Sequence, residues 1–267
     1  MLDHPRVFED PLSLRIIVGA GGSAHAATLE PGRVTRQQRL SPSFRAYMAV
    51  RSRYAEDELA GAVANGVRQY VVLGAGLDTF AYRNPHAAAG LRVFEVDHPA
   101  TQAWKQEQLQ TTGIPVPAAM AFVSADFERE TLAEALRRAP FQFGAPAFFS
   151  WLGVVPYLTP PALQATLAFI AAMPSASGVV LDYAVQRAAL NPAECLALDA
   201  LSARVARVGE PFRLFLDPAQ LAARLHQMGF RDLEDMGRDA INARYFAGRT
   251  DGLRVKGNLA HLLSAAV

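Results

Sequence analysis

Three groups of residues in this chain carry chemistry at a spacing that suits one ligand. Gly74-Ala75-Gly76 follows an apolar run over 70–73, Asp97 ends the run Arg92-Val93-Phe94-Glu95-Val96-Asp97, and Asp126-Phe127 comes soon after Ala121-Phe122-Val123-Ser124. An apolar run that meets two closely spaced glycines is what a buried parallel strand looks like where its end turns under a ligand. Glycine leaves no Cβ in the way, although a turn that serves packing alone uses the same residues. Asp97 lies 97 − 76 = 21 residues past Gly76. An acid at the end of the second strand can accept both ribose hydroxyl hydrogens of a nucleoside, while a solvated strand-end Asp is the plain alternative. Asp126 is then placed to bond an adenine amino group, with Phe127 offering its backbone N–H or its ring face. Capping a helix is the competing role for Asp126.

Two nucleoside ligands compete for this pattern. A dinucleotide fingerprint carries a third glycine where this chain has Thr79, and its helix starts directly under a pyrophosphate. Asp78 puts negative charge at that spot. It would repel a diphosphate, whereas an acid near the ammonium or sulfonium of S-adenosylmethionine is favourable. The residues therefore favour the methyl donor. An NAD(P)-dependent oxidoreductase and a non-catalytic protein that senses the donor without turnover stay as alternatives.

The elements that must position these residues alternate strand with helix. From Ser43 a helical pattern places Phe44, Tyr47, Met48, Tyr54, Leu59 and Val63 roughly on one face, ends near Asn65-Gly66, and delivers Arg51 and Arg53 toward the first strand. Pro99 suits the first turn of a helix to about Leu109. A helix over 128–138, a strand over 147–151, a helix from Thr159-Pro160 to Met173 and a fifth strand over 179–183 continue the rhythm. Asn191-Pro192 and Asp217-Pro218 each pair an N-cap with a first-turn proline, predicting helices over 192–208 and 218–228 with Gly229 closing the second. Strands are expected over 230–236 and 253–256 at the sheet edge. Such a chain predicts a doubly wound, mostly parallel α/β sheet with helices on both faces, and its ligand outside the carboxyl ends of the strands near the switch point.

The 267 residues, 51% hydrophobic with net charge +1, can bury a large core in a single domain. Residues 1–66 are expected to form an N-terminal helical cap and 185–215 a helical insertion over the site. The lead-in over 1–42 holds Asp10-Pro11, Gly19-Ala20-Gly21-Gly22 and a basic patch over 33–39. Charges are mixed and amount to 19%, with no long basic run, so nucleic acid and anionic membrane are poor partners and a small molecule is the expected one. Cys195 is the single cysteine, which excludes an intrachain disulfide and a thiolate metal cluster. No metal is expected, and a monomer or homodimer is. The opening Met1-Leu2-Asp3-His4-Pro5 lacks the basic-then-apolar order of a signal peptide, so a cytoplasmic location is expected. Residues 139–181 contain no Asp, Glu, Lys, Arg or His, but prolines interrupt them, which fits buried strands flanking a helix better than a membrane span.

Five stretches carry a family likeness: VVLGAGLDTFAYR, VFEVDHP, Ala125-Asp126-Phe127, FFSWLGVVPYLTP and NARYFAGR. Over about residues 5–257 the chain resembles the leucine carboxyl methyltransferase-like family of S-adenosylmethionine-dependent methyltransferases, particularly its bacterial branch of O-methyltransferases of secondary metabolism. The resemblance implies a Rossmann-like class I methyltransferase with a seven-stranded sheet whose last strand inserts antiparallel. It also implies S-adenosyl-L-methionine as cofactor and O-methylation of a carboxylate or hydroxyl on a small, polyketide-like molecule.

By position, the resemblance makes the Arg51-Ser52-Arg53 step the source of the arginine that clamps the methionine carboxylate. Arg51 is the first choice, a task for which a guanidinium fork is well shaped. It passes Gly74 and Gly76 under the donor and puts Asp97 on the ribose and Asp126 with Phe127 on the adenine; Ala75, Asp78, His98 and Ser150 are further candidates for donor contact. Several relatives have Glu after the fourth strand where this chain has Leu152, which leaves Trp151 as a wall of the methyl-transfer cavity or as a core residue. Methyl transfer from a sulfonium is an in-line displacement, and alignment supplies much of the acceleration. A carboxylate acceptor is already ionised, whereas a hydroxyl needs a base. His98 and Tyr157 are the nearby base candidates, and Tyr157 with Trp151 also lies where the acceptor is expected. Arg244, Arg249 or Arg213 would hold an acceptor carboxylate, with surface or structural roles as the alternative for each.

Overall fold

Buried apolar strands build the frame, and a computed structural model describes it over residues 5–18, 41–127, 129–207 and 209–267. β1 (Gln69–Leu73) is buried along its whole length, because β2 (Arg92–Asp97) and β4 (Phe148–Trp151) pair with it in parallel on either side. β3 (Met120–Ser124) extends the sheet beyond β2, and β5 (Gly178–Ala184) extends it beyond β4. β6 (Leu233–Met236) and β7 (Ala260–Ala266) complete the order β3-β2-β1-β4-β5-β7-β6, with β7 antiparallel to both neighbours. Chain order reverses direction between β1 and β4, which makes that point the switch.

Helices cover both faces: α1 (Ser13–Val18), α2 (Pro42–Ala64), α3 (Phe80–Arg83), α4 (Pro99–Thr112), α5 (Leu132–Arg137), α6 (Pro160–Ala171), α7 (Pro192–Arg207), α8 (Pro218–Met228) and α9 (Arg238–Tyr245). Their starts follow the expected cap chemistry. Ser41, Thr159 and Asp217 each accept a backbone N–H with their side chain just ahead of a proline. α5 begins at Leu132 rather than at the expected 128, because Thr131 and Glu134 form a reciprocal capping box.

Alternation along each strand divides the core in two. Tyr70, Val72, Val93, Phe148, Val180 and Leu262 face α2 and α9, while Val71, Leu73, Phe94, Phe149, Trp151 and Leu181 face α5, α6 and α8. Residues 139–181 resolve into β4, α6 and the start of β5. Among the described residues no helix is long and apolar enough to cross a membrane.

Two expectations about the tail need correction. The expected strand at 253–256 is absent: Leu253 and Val255 are buried and alternate with exposed Arg254 and Lys256, but the amide of Asn242 bonds both the N–H and the C=O of Val255, at 2.9 Å each. The last strand is instead β7, where AHLLSAA offers few of the residues that favour strands. The expected strand at 230–236 is shorter, running over Leu233–Met236. The glycine-rich 19–22 and the basic 33–39 patch lie outside the described residues.

Candidate active site

The turn after β1 is held by its neighbours. The N–H groups of Gly74 and Ala75 donate to Val96 O at 2.8 and 3.2 Å. The Asp97 carboxylate accepts Gly76 N–H at 2.6 Å and His98 N–H at 2.7 Å. Gly74 and Gly76 both have positive φ, +65° and +45°, a region where a side chain is strained. Their surroundings differ, since a Cβ on Gly74 would stand 2.4 Å from Val154 Cγ2, whereas one on Gly76 would find nothing nearer than Gly74 O at 4.0 Å. Gly74 is therefore a packing requirement, and Gly76 borders open space.

Beneath the turn lies a buried ion pair. Lys105 Nζ sits 2.7 Å from Glu95 Oε2 and donates to Asp78 O at 2.7 Å, so α4 grips the backbone of the loop. Tyr82 O–H donates to the same Glu95 oxygen at 3.1 Å. Burial pushes the Glu95 carboxyl up to about 7, with Lys105 pulling the other way. Asp78 Oδ1 accepts Phe80 N–H at 2.7 Å and so starts α3.

Two hollows open on the two sides of Gly74. The smaller is lined by Gly74, Asp97, His98, Ala125, Asp126, Phe127 and Val154. The larger, about 1200 Å³, is lined by Ala75, Gly76, Asp78, Ser150, Arg51, Tyr157 and Asp182, by Tyr47 and Met48 of α2, and by Leu198, Leu201, Arg204 and Val205 on one face of α7. Residues 185–215 thus contribute much of its wall.

Most of the expected donor contacts reach these hollows. Arg51 enters the large cavity with Nη1 3.2 Å from Asp182 Oδ2; burial works against its charge, but Asp182 and Tyr47 outweigh it and hold the guanidinium above its ordinary value. Its Nε is buried with no hydrogen-bond partner among the described residues. Ser150 lies on the same face, accepting Tyr70 O–H at 2.8 Å. Asp126 is not the N-cap of α5, a position Thr131 takes, and its carboxylate lies 3.4 Å from Arg129 Nε.

Several candidates fall elsewhere. Arg53, two residues from Arg51, points away from the cavity and pairs with Asp57 at 2.8 Å. Trp151 is 1% exposed and belongs to the core on the opposite face, because side chains alternate along β4 and Ser150 takes the cavity side. Arg244 pairs with Glu234 at 2.8 Å beside the Tyr54 ring, and Arg249 clasps Asp251 and Pro5 O. Neither lines the cavity, and neither does Arg213, whose backbone N–H donates to Pro156 O. His98 borders the smaller hollow rather than the large one, where it is exposed and caps α4, its Nδ1 accepting Ala100 N–H at 3.2 Å. Tyr157 does line the cavity, 5.4 Å from the Phe212 ring, but burial and then Glu210 and Asp182 push its hydroxyl up, so at neutral pH it is a donor and not a base.

Sequence reasoning missed Tyr47, Asp182, Arg204, Arg238 and Lys256, all of which line the cavity. Asp182 offered a signal, being a lone acid inside GVVLDYA, and Tyr47 stands one helical turn before Arg51. Arg204 and Lys256 stand in periodic segments that read as a helix and a strand without showing which side faces the cavity, and Arg238 follows β6 at the start of α9.

The sheet order, with its inserted antiparallel strand, the glycine turn after β1 and the acid ending β2, is that of the class I, Rossmann-like methyltransferase fold. A crystallised DUF574 family protein of Streptomyces avermitilis has the same fold, with a TM-score of 0.58 and 21% identity over 95% of this chain and 96% of that one. A family model described as leucine carboxyl methyltransferase matches residues 2–171. The Bacillus subtilis protein named "Putative S-adenosyl-L-methionine-dependent methyltransferase YktD" is 33% identical over 204 residues, 76% of this chain and 67% of that protein. A protein of Mycobacteroides abscessus with the same descriptive name is 35% identical over 167 residues, 62% of this chain and 53% of that one. The chain thus aligns with between half and two thirds of the length of these relatives. It belongs to the leucine carboxyl methyltransferase family of S-adenosylmethionine-dependent methyltransferases.

The residues present suit that donor. A guanidinium in the cavity wall suits an amino-acid carboxylate, and a pocket holding two acids and a phenylalanine ring suits a nucleoside. With the family established, the oxidoreductase alternative falls away.

Proposed function

We propose that the protein transfers a methyl group from S-adenosylmethionine to a carboxylate oxygen of a small amphipathic acid. The observation that carries this reading is the lack of a competent base in the large cavity. Among the described residues its lining contains no histidine. Its four acids are engaged: Asp10 by Thr79 and two backbone N–H groups, Asp78 by Phe80 N–H, Asp182 by Arg51 and Gly153, and Glu194 by two backbone N–H groups. Burial first, and nearby carboxylates after it, raise the hydroxyls of Tyr47, Tyr157 and Tyr183, which therefore stay protonated. A neutral hydroxyl acceptor would lack the proton acceptor it needs, whereas a carboxylate arrives ionised.

In this reading Gly74 and Gly76 pass beneath the donor, Asp97 holds its ribose, Asp126 and Phe127 hold its adenine, and Arg51 holds its amino-acid carboxylate. The bound donor supplies an electrophilic methyl group on a sulfonium. What the chain contributes is alignment and exclusion of water: Met48, Leu198, Leu201, Val205 and Phe212 offer an apolar wall for the body of the acceptor, and Arg204 and Lys256, exposed members of the lining, attract its negative charge. A polyketide-like or aromatic acid has this combination of apolar body and anionic end.

Incubation with methyl-labelled S-adenosylmethionine and a panel of aromatic, aliphatic and polyketide-like acids, with matched phenols, tests the proposal. Label that alkali releases as volatile methanol is a methyl ester and is the expected product. Alkali-stable label on the phenols alone would refute a carboxylate acceptor, and tight donor binding with no product from any acceptor is the outcome for a sensor protein.

A further inference from the structure

Asp182 lies on β5, beyond the residues 2–171 that the family model matches, and it is 5% exposed. A buried carboxylate is costly unless its lone pairs are satisfied. Here Oδ1 accepts Gly153 N–H at 2.5 Å, and Oδ2 faces Arg51 Nη1 at 3.2 Å and Tyr47 O–H at 3.5 Å. The loop after β4 closes over the guanidinium because residue 153 has no side chain: Gly153 has φ +73°, and a Cβ there would stand 2.7 Å from Arg51 Nη1. α2, the loop after β4 and β5 therefore converge on one cation. Their contacts are one-sided. Nη1 is fixed on Asp182, while Nε stays buried without a partner among the described residues.

We propose that Asp182 is the positioning residue for Arg51, anchoring Nη1 so that the guanidinium is held at the cavity wall in the orientation that takes the donor's amino-acid carboxylate. This rests on the donor reading given under Proposed function. A long arginine side chain loses rotamer entropy when a ligand orders it, and a neighbour that orders it beforehand lowers that cost. The same carboxylate neutralises the cation until ligand arrives.

The test is a double-mutant cycle on donor affinity, with S-adenosylhomocysteine titrated calorimetrically into wild type, Asp182→Asn, Arg51→Ala and the double variant. The amide introduced by Asp182→Asn keeps an acceptor for Gly153 N–H but loses the charge. Asp182→Asn is expected to weaken binding about tenfold to hundredfold, the range of one charge-assisted hydrogen bond. It should raise KM for the donor while leaving kcat at saturating donor within about threefold. In the Arg51→Ala background the same change should cost less than about twofold, because Asp182 acts through Arg51. Asp182→Glu, which restores the charge, should recover part of the affinity, and Asp182→Ser carries the expectation of Asp182→Asn should that variant fail to fold. Unchanged affinity in a folded Asp182 variant, or an equal loss with and without Arg51, overturns the proposal alone. Absence of binding to the wild type overturns the donor reading and this proposal with it.

Discussion

Replacing Gly74 with alanine separates the two jobs of the turn. Alanine at φ +65° costs about 1–2 kcal/mol in backbone strain. Its Cβ would lie 2.4 Å from Val154 Cγ2, far inside the roughly 3.5–4.0 Å of a normal carbon contact, and overpacking of this kind costs about 1–3 kcal/mol. The sum is about 2–5 kcal/mol. Gly76→Ala meets φ +45° and no atom nearer than 4.0 Å, so it carries only the strain of about 1–2 kcal/mol. At roughly 2–4 °C per kcal/mol for a chain of this size, Gly74→Ala should lower the melting temperature by at least about 4 °C, and by more than Gly76→Ala does. Val154→Ala combined with Gly74→Ala should cost less than the two changes summed, because one removes the atom that the other strikes. Binding should rank the variants differently: Gly76→Ala puts a methyl group into open space beside the cavity and should weaken S-adenosylhomocysteine despite its milder effect on stability. Thermal unfolding and calorimetric titration of the wild type, the three single variants and the Gly74→Ala/Val154→Ala double variant decide the matter. Equal melting temperatures for the two glycine variants, with no relief from Val154→Ala, would refute the distinction.

Lys105→Met leaves the Glu95 carboxylate buried and unpaired and should cost about 3–5 kcal/mol at neutral pH. Because burial raises Glu95 from 4.5 to about 7, the folded chain retains a proton that the unfolded chain releases; this stability is present below 4.5 and lost as pH rises through about 7. Without the lysine's opposing pull the carboxyl rises further, so thermal unfolding should show a larger deficit for Lys105→Met at pH 8 than at pH 5; a deficit independent of pH would count against the pair. Asp97→Ala should weaken S-adenosylhomocysteine by about 2–3 kcal/mol, measured by titration, through loss of charge-assisted hydrogen bonds to the ribose; a folded variant with unchanged affinity would remove Asp97 from the site. Arg244→Ala should change methyl-transfer rates less than about twofold, since that guanidinium pairs with Glu234 away from the cavity; a large loss of kcat would return Arg244 to the acceptor site.

The parts of the fold that could be read in advance are those where a local rule and the global fold agree. Residues 70–76 combine a fully buried strand with glycines that need positive φ, and Asp217-Pro218 with Gly229 marks both ends of α8, so propensity and packing point the same way. β7 escaped notice because AHLLSAA owes its strand state to pairing with β5 and β6 rather than to its own preference, while the alternation at 253–256 is satisfied by the Asn242 side chain instead of a neighbouring strand. Among the site candidates, the glycines, Asp97, Asp126 and Arg51 lie beside turns or on a periodic helix, which is why the sequence singles them out, and each borders one of the two hollows. For Trp151 the sequence leaves cavity wall and core both open, because the two-residue period of β4 fixes sides only once one face is assigned, and the structure puts it in the core. Asp182 was missed because its importance depends on Arg51, 131 positions away in the chain.

The most direct measurement is a crystal structure of the complex with S-adenosylhomocysteine. The expected result is adenine beside Asp126 and Phe127, ribose hydroxyls on the Asp97 carboxylate, and the amino-acid carboxylate on Arg51 with Asp182 still seated against Nη1. A ligand bound elsewhere, or one whose ribose and carboxylate touch neither Asp97 nor Arg51, would contradict the assignment of this cleft as the donor site.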